Sequence, residues 1–299
     1  MADQTSRSGG GRCSEEGPAQ RAAIDLVIGE VLQLRRQRSV LRFLVIVVLC
    51  VGLWMALEFL NVRFERFPAL FERLGILFST RYYPPDFEYV MRPQFLASVL
   101  ETIHMAMLAT IAGLVLALPL AWLAAFNVSP LQMRTHWLAR GAITASRAIH
   151  EMIWAIVFIM VLGYGVLAGV LALTIGCIGF AGKLFAEEIE SIDPAPVEAM
   201  RAGGAGSLAV FLFGVLPQVR TAFIGIAIYT WDVVFRSATV VGFFGAGGMG
   251  WYLRRTADQL QSGRVAAIML LIAALVITSE IVSHHARRAI EGRSGAVQS

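Results

Sequence analysis

Apolar residues fall into long blocks separated by short polar stretches, and the blocks match or exceed the about 20 residues that a helix needs to cross a bilayer core. The first is Leu41–Leu60, without a charge between Phe43 and Leu57. The second, Ser98–Phe126, is interrupted only by Glu101 and His104 near its start. The third block, Ile149–Ala186, is too long for one crossing, and Gly163-Tyr164-Gly165 divides it into two shorter helices. A fifth helix covers Leu208–Phe235, started or kinked at Pro217, and a sixth covers Val265–Val282. The pattern predicts an all-α fold, a polytopic membrane helix bundle of about six transmembrane helices.

Composition agrees. Of 299 residues, 57% are hydrophobic and 15% charged, with a mean hydropathy of +0.67. Soluble domains carry about 25% charged residues, so this chain lacks the polar surface to stay in water. Its net charge of +4 comes from 25 basic and 21 acidic side chains, and Lys183 is the single lysine. No clustered basic face with interleaved aromatics is present, so nucleic acid is not an expected partner. Cys13, Cys50 and Cys177 have neither metal-ligand spacing nor a disulfide framework. Residues 1–40 read as a polar, disordered tail without a signal-peptide cleavage site, so residues 41–60 read as an uncleaved anchor. Residues 61–97 read as an external segment, 98–286 as the main membrane domain and 287–299 as a tail. The arginine tally of the two sides is nearly even and weakly favours both termini in the cytoplasm.

One polar stretch, Ser191 to Gly204, is sharply delimited. Asp193 suits an N-cap, Pro194 the first helical position, and Gly203-Gly204 stops the helix. Ser207 is the expected cap of the helix that follows. A short helix of this kind serves either as a docking stub for a partner's groove or as a plain connector. The residues alone leave both open.

Glu198-Ala199-Met200-x3-Gly204-x9-Gly214-x-Leu216-Pro217 resembles the cytoplasmic EAA loop of ABC-importer permeases. Met200 stands where that pattern has its third-place alanine, and Gly214 where it has isoleucine. More specifically, the chain resembles the phosphonate permease family. That likeness covers residues 80–290 and includes Arg147-Ala-Ile-His-Glu151, Pro194-x-Pro-Val-Glu198, Val215-Leu-Pro-Gln-Val219, Arg236-Ser-Ala-Thr-Val-Val-Gly242 and Gly245-Ala-Gly-Gly-x-Gly250. Tyr83-Pro-Pro-Asp-Phe87 also matches. The resemblance implies a methionine-importer-like permease fold in the bacterial inner membrane. It implies a second copy of the permease, two ABC ATPase subunits that bind ATP and magnesium, and an external substrate-binding protein delivering a phosphonate-type anion. Residues 187–207 then face the cytoplasm, with Glu198, Ala199, Gly204, Leu216 and Pro217 coupling to the ATPase.

The chain itself carries no Gly-x4-Gly-Lys-Ser/Thr phosphate loop, since Cys177 occupies the first glycine slot and Leu184 follows Gly182-Lys183. No cofactor is expected in it. Gly245-x-Gly247-x-x-Gly250 fits a dinucleotide fingerprint, and Thr239–Phe244 before it looks strand-like. A true fingerprint has an acidic residue about 20 positions later, whereas Asp258 is the nearest here and a membrane span follows. The better reading of Arg236–Gly250 is an interrupted helix near the membrane surface. Its glycines either pack helices closely or leave amides for an anion, and Arg236 either snorkels or meets that anion. Candidate residues of a substrate path are therefore Arg236, Ser237, Thr239, Gly245, Gly247, Gly248 and Gly250. Glu101, His104 and Glu151 join them as ionisable groups in or near spans, although proximity to helix ends would also explain their charge. Asp232 is placed to pair with Arg236 at i,i+4. A different class, an intramembrane enzyme using Glu101, His104 or Glu151, lacks a nucleophile or metal set. Phosphite or hypophosphite is the alternative cargo.

Overall fold

The computed structural model describes residues 18–60, 66–129 and 133–295; the expected tail residues 1–17 and 296–299, and residues 61–65, lie outside these. The chain divides into two units, Met1–Arg73 and Leu74–Ser299. In the first, α1 (Pro18–Phe59) carries the anchor, with a mean hydropathy of 2.7 over the apolar window of Arg38–Phe59. The helix starts at Pro18, so residues 18–40 are helical where their polarity suggested disorder. They are rich in Ala, Gln, Leu and Arg, all good helix formers, and a helix that extends a membrane span needs no new nucleus.

In chain order, α2 (Arg66–Leu77) and a π-helical turn at Phe78–Tyr82 precede α3 (Phe87–Val90), α4 (Pro93–Ala124), α5 (Met133–Ala148) and α6 (Glu151–Leu162). Then come α7 (Val166–Glu190), α8 (Pro194–Ala202) and α9 (Ser207–Ala209). A π-turn at Val210–Val215 leads into α10 (Leu216–Val241), a second π-turn covers Gly242–Ala246, and α11 (Gly248–Asp258) and α12 (Ser262–Gly295) complete the order. The strand-like stretch Thr239–Phe244 is thus helical. Ser207 is the first residue of its helix and Gly206 its cap, one position earlier than expected.

The second unit is organised by α4 and α7. Gly169 faces Met105, Gly113 faces Cys177, Gly182 faces Ala117, and Phe126 N–H donates to Glu190 Oε1 at 2.9 Å. The offset in residue number barely changes along this series, so the two helices run parallel. Small residues on α4 (Ala106, Ala109, Gly113, Ala117, Ala121 and Ala124) are all buried and permit the close approach. Two parallel neighbours must be joined by a segment that crosses back, and α5–α6 is that segment. The pair is bent by 86° at its junction. Alone, α6 has 12 residues, about 18 Å of helix and too short for a crossing of about 30 Å. The third crossing therefore begins in α5, before the Ile149 start read from the sequence. Arg134, His136, Arg140 and Arg147 lower the hydropathy of α5 and hid it. The Gly163–Gly165 break stands as read. With α1, α4, α7, the Ser207–Ala246 stretch and α12, the bent pair makes six.

The faces that meet explain how a charged helix is tolerated there. Gly176, Gly179 and Gly182 form a stripe on α7 that lies under α5–α6. A Cβ at Gly179 would collide with Ser146 Oγ and reach within 2.6 Å of Arg147 Cγ, and one at Gly176 would lie 2.5 Å from Glu151 Cγ. Two apolar cores stack along the bundle. One surrounds Phe95, Met105, Leu173, Phe235, Met249 and Ile268; the other, toward α8, surrounds Phe185, Ile189, Phe211, Val215 and Phe223. At the end away from α8, Asp86 accepts from Tyr89 N–H (3.2 Å), which caps α3, and takes Arg264 Nε–H at 3.2 Å. The Arg264 guanidinium lies 4.8 Å from the Tyr89 ring centroid. This tie accounts for the Tyr83–Phe87 motif.

Gly250 tests the packing. A Cβ there would clash with the Thr239 carbonyl and lie 2.5 Å from Phe243 N, both rigid backbone. Gly250→Ala should lower the thermal midpoint of the purified protein by an amount equivalent to about 1–3 kcal/mol. Gly141→Ala, with nothing within 4 Å of its Cβ, should leave the midpoint unchanged or raised. Equal midpoints for wild type and Gly250→Ala would refute the packing assignment.

Candidate functional site

The end of the bundle formed by α8 is built as an anchored ridge. Asp193 caps it by accepting from Ala195 N–H at 3.0 Å, Pro194 opens it, and Gly204, at φ +83°, turns the chain out. One face is clamped to the bundle. Val197 is buried, Arg201 Nη2 donates to the Asn127 carbonyl (2.9 Å), and Gln218 Oε1 on α10 accepts from Asp193 N–H (3.2 Å). Glu198 and Ala199 point outward and are exposed, as are Gly204 and Pro217, while Leu216 is half-buried. The helix is rigid where it meets the bundle and open where a partner would meet it.

Further along α10, four residues from two helices meet. Arg236 and Ser237 line a cleft of about 170 Å³ with His150 and Glu151, from the start of α6. Arg236 Nη2 donates to Asp232 Oδ2 at 3.0 Å, the i,i+4 pair expected. Asp232 is buried, with 5% of its surface exposed, whereas the Arg236 side chain is 55% exposed. Asp232 thus holds one edge of the guanidinium and leaves the rest facing outward. His150 Nδ1 lies 3.3 Å from Met152 N, as the cap of α6, and 3.4 Å from Glu151 Oε2. It can accept from the amide only when unprotonated and donate to Glu151 only when protonated. One nitrogen therefore serves one partner at a time.

The other candidates sit elsewhere. Glu101 Oε2 accepts from Gly248 N–H at 3.1 Å, and Thr102 Oγ1 accepts from Met249 N–H at 2.9 Å. A carboxylate and a hydroxyl from α4 therefore cap α11 in trans, where the helix dipole favours negative charge. Thr102 was not singled out from the sequence, because its role depends on a partner 147 residues away. Gly245 and Gly247, at φ +114° and +89°, turn the chain into α11. Gly250 meets the backbone of Thr239, whose hydroxyl donates to the Arg236 carbonyl at 2.8 Å. His104 is exposed and its Nδ1 lies 2.7 Å from the Leu100 carbonyl oxygen. Among the described residues no three His, Cys, Asp or Glu side chains are grouped to hold a metal.

Residues 117–294 match the family described as binding-protein-dependent transport system inner membrane component, more than half of the chain. The chain belongs to this family. It is a multi-pass inner-membrane permease subunit, and such a subunit works with an ATPase and a substrate-binding protein. The phosphite transport system permease protein PtxC of Stutzerimonas stutzeri is 42% identical over 193 residues, 64% of this chain and 69% of that one. The putative phosphite transport system permease protein HtxC of the same organism is 31% identical over 85% of this chain and 87% of its own length. The phosphate-import permease protein PhnE of Mycolicibacterium smegmatis is 39% identical over 73% of this chain, which spans 40% of that protein. In fold, the permease resembles the inward-facing MetNI methionine ABC transporter, with a TM-score of 0.56 and 21% identity over 66% of this chain and 95% of that one. An amino acid ABC transporter solved with histidines gives 0.56 and 21% over 70% and 98%.

The two departures of this permease from the EAA pattern touch each other. A Cβ on Gly214 would lie 3.1 Å from Met200 Sδ, so a large residue replaces a small one where a small residue replaces a large one. Such a volume-conserving exchange keeps α8 seated. Gly214→Ile should displace α8, lower the thermal midpoint and reduce the ATPase recovered with the permease. Adding Met200→Ala should restore both, with a coupling of about 0.5–3 kcal/mol. Strictly additive effects would separate the two positions.

Proposed function

We propose that this permease moves phosphonate-type anions into the cytoplasm as the membrane subunit of an ABC importer. The observation that carries the reading is Arg236, a guanidinium fixed from one side by buried Asp232 and open to a cleft on the other. Arginine in a partly dehydrated setting suits the oxygens of a phosphonate, which can take two parallel N–H bonds. The relatives named for phosphite transport and phosphate import support an oxyanion of phosphorus as cargo. Ser237, Glu151 and His150 complete the cleft wall, with Glu151 repelling a second negative charge and so favouring passage over tight retention. Glu101 and Gly247–Gly250 support this path by fixing α11 rather than by touching cargo, and Thr239 and Gly245 hold the backbone behind it. His104, on an open face of α4, does not line the cleft.

In this reading α8 faces the cytoplasm and docks in a groove of the ATPase through Glu198 and Ala199. The C-terminal ends of α4 and α7 then lie on the cytoplasmic side, and counting crossings puts both termini there. ATP and magnesium are held by the ATPase pair, whose closure moves α8 with the helices clamped to it. A second copy of the permease, related by an axis along the membrane normal, would close a single cavity between two Arg236 clefts.

Two measurements test this. In membranes containing the whole transporter, Arg236→Ala should lower methylphosphonate uptake at least tenfold. Arg236→Lys should keep part of it, since charge survives and bidentate geometry is lost. Competition by unlabelled phosphite and phosphate ranks the cargo. Undiminished uptake by both variants would make Arg236 a surface anchor. Native mass spectrometry of the detergent-solubilised complex should give two permeases with two ATPases; a stable complex with one copy of this chain and no second membrane subunit would overturn the paired cavity.

A further inference from the structure

A second basic pocket lies nearer to α8, apart from the Arg236 cleft. Arg140, Thr144 and Arg147 on α5 and Lys183 and Glu187 on α7 line a space of about 160 Å³. Two of its three cations are already paired. Arg140 Nη2 donates to both oxygens of Glu190 at 2.9 Å, and Lys183 Nζ is 3.4 Å from Glu187 Oε1. Arg147 has no ion pair or hydrogen-bond partner among the described residues.

The fold makes specific room for that unpaired side chain. Its stem lies on Gly179, where a Cβ would come within 2.6 Å of Arg147 Cγ. The depth is also telling. α7 is free of charge from Val166 to Gly182 and then carries Lys183, Glu187, Glu188 and Glu190, so the pocket sits where the hydrocarbon gives way to the headgroup layer. Arg147 is exposed there, at the level where a cationic side chain meets the anionic oxygens of headgroups or solutes. The volume is about that of five waters of liquid, enough for a tetrahedral oxyanion and its remaining hydration. The groups around it comprise three cations against the carboxylates of Glu187 and Glu190, which leaves one positive charge for the ligand.

From this we infer that the Arg140–Thr144–Arg147–Lys183 pocket binds one phosphoryl or phosphonyl oxyanion, with Arg147 as its principal ligand and the Thr144 hydroxyl as a neutral donor. Two sources offer that chemistry. One is the phosphodiester of a membrane phospholipid, since basic pockets between transmembrane helices on the cytoplasmic side suit such headgroups. The other is a free anion leaving the transport path. Placing the pocket in the cytoplasmic leaflet rests on the orientation proposed above, but the binding does not, and it is measured without transport.

The test uses the complete, delipidated permease–ATPase complex in detergent, whose thermal midpoint rises when a ligand binds the native state. It is titrated separately with phosphatidylglycerol, phosphatidylcholine and inorganic phosphate. Wild type should be stabilised by at least one of these, and Arg147→Gln should weaken the apparent affinity roughly tenfold, as loss of one charge-assisted contact does. Arg147→Lys should fall between. Lys183→Gln gives an independent loss in the event that Arg147→Gln fails to fold. Arg92→Gln, at an exposed pair with Glu88, should respond like wild type. A response to the lipids alone assigns the pocket to a headgroup; a response to inorganic phosphate as well assigns it to a free anion. No stabilisation by any of the three, or responses unchanged in both pocket variants, would overturn the inference. Either result leaves the uptake measurements on Arg236 standing by themselves.

Discussion

The close parallel pairing of α4 with α7 dictates most of what surrounds it. Two neighbouring helices that point the same way cannot be joined by a short hairpin, so the chain between them must recross the bundle. That requirement makes a crossing out of α5–α6, a segment too polar at one end and too short at the other to qualify alone. The pairing itself rests on small residues, with Gly113 taking the bulk of Cys177 and Gly169 that of Met105. In a membrane, where lipid is as apolar as leucine, such contact is what drives helices together. The face of α7 toward α5–α6 repeats the device at Gly176, Gly179 and Gly182, and there Gly176 and Gly179 accommodate the charged Glu151 and Arg147.

Charge inside the bundle is handled in three ways. Asp232 is buried and committed to Arg236, an arrangement in which loss of the arginine would leave an unpaired carboxylate in a poorly solvated place. Glu101 places its charge at a helix N-terminus, accepting from the Gly248 amide while Thr102 accepts from that of Met249. Arg147 follows neither pattern, and the surrounding structure is shaped to keep it, not to neutralise it. The three groups lie on α10, α4 and α5, so the charge is dispersed among helices and not gathered in one site.

Local signals in the sequence were read with success where they act locally. Asp193, Pro194 and Gly203-Gly204 delimit α8 because caps work within a turn of the residue that supplies them. The glycine break at 163–165 and the Asp232–Arg236 pair are equally short-ranged. What escaped notice depends on partners far along the chain. The start of the third crossing was missed because hydropathy sums over a window, and Arg134, Arg140 and Arg147 cancel the apolar residues between them. The neighbours that excuse those charges are on α7. Glu101 looked like a candidate acid because nothing nearby reveals the amide of Gly248. Met200 and Gly214 looked like two separate departures from a pattern, and only their contact shows them to be one exchange. The Arg236–Gly250 motif reads from sequence as either packing or anion binding, and its parts differ in the structure. Gly250 packs against Thr239, the amides of Gly248 and Met249 are capped, and the Arg236 guanidinium faces the cleft.

That division gives α10 a mechanical character. Its first turn is tied to α8 through Gln218, whose Nε2 also donates to the Gly214 carbonyl at 2.7 Å, and Arg236 lies 18 residues further on, about 27 Å along the axis. Between them the helix is regular, while π-turns sit at both of its ends, at Val210–Val215 and Gly242–Ala246. Such turns loosen the hydrogen-bond ladder and mark places where a helix can yield. A rod that yields at its ends and not in its middle tilts as a whole. In the proposed reading, force applied at α8 would therefore tilt α10 and shift Arg236 relative to the His150–Glu151 wall of its cleft. At the second π-turn, which joins α10 to α11, Gly242 meets the Gly247 carbonyl and Gly250 the Thr239 carbonyl, backbone against backbone, so a side chain at either glycine would wedge the junction apart.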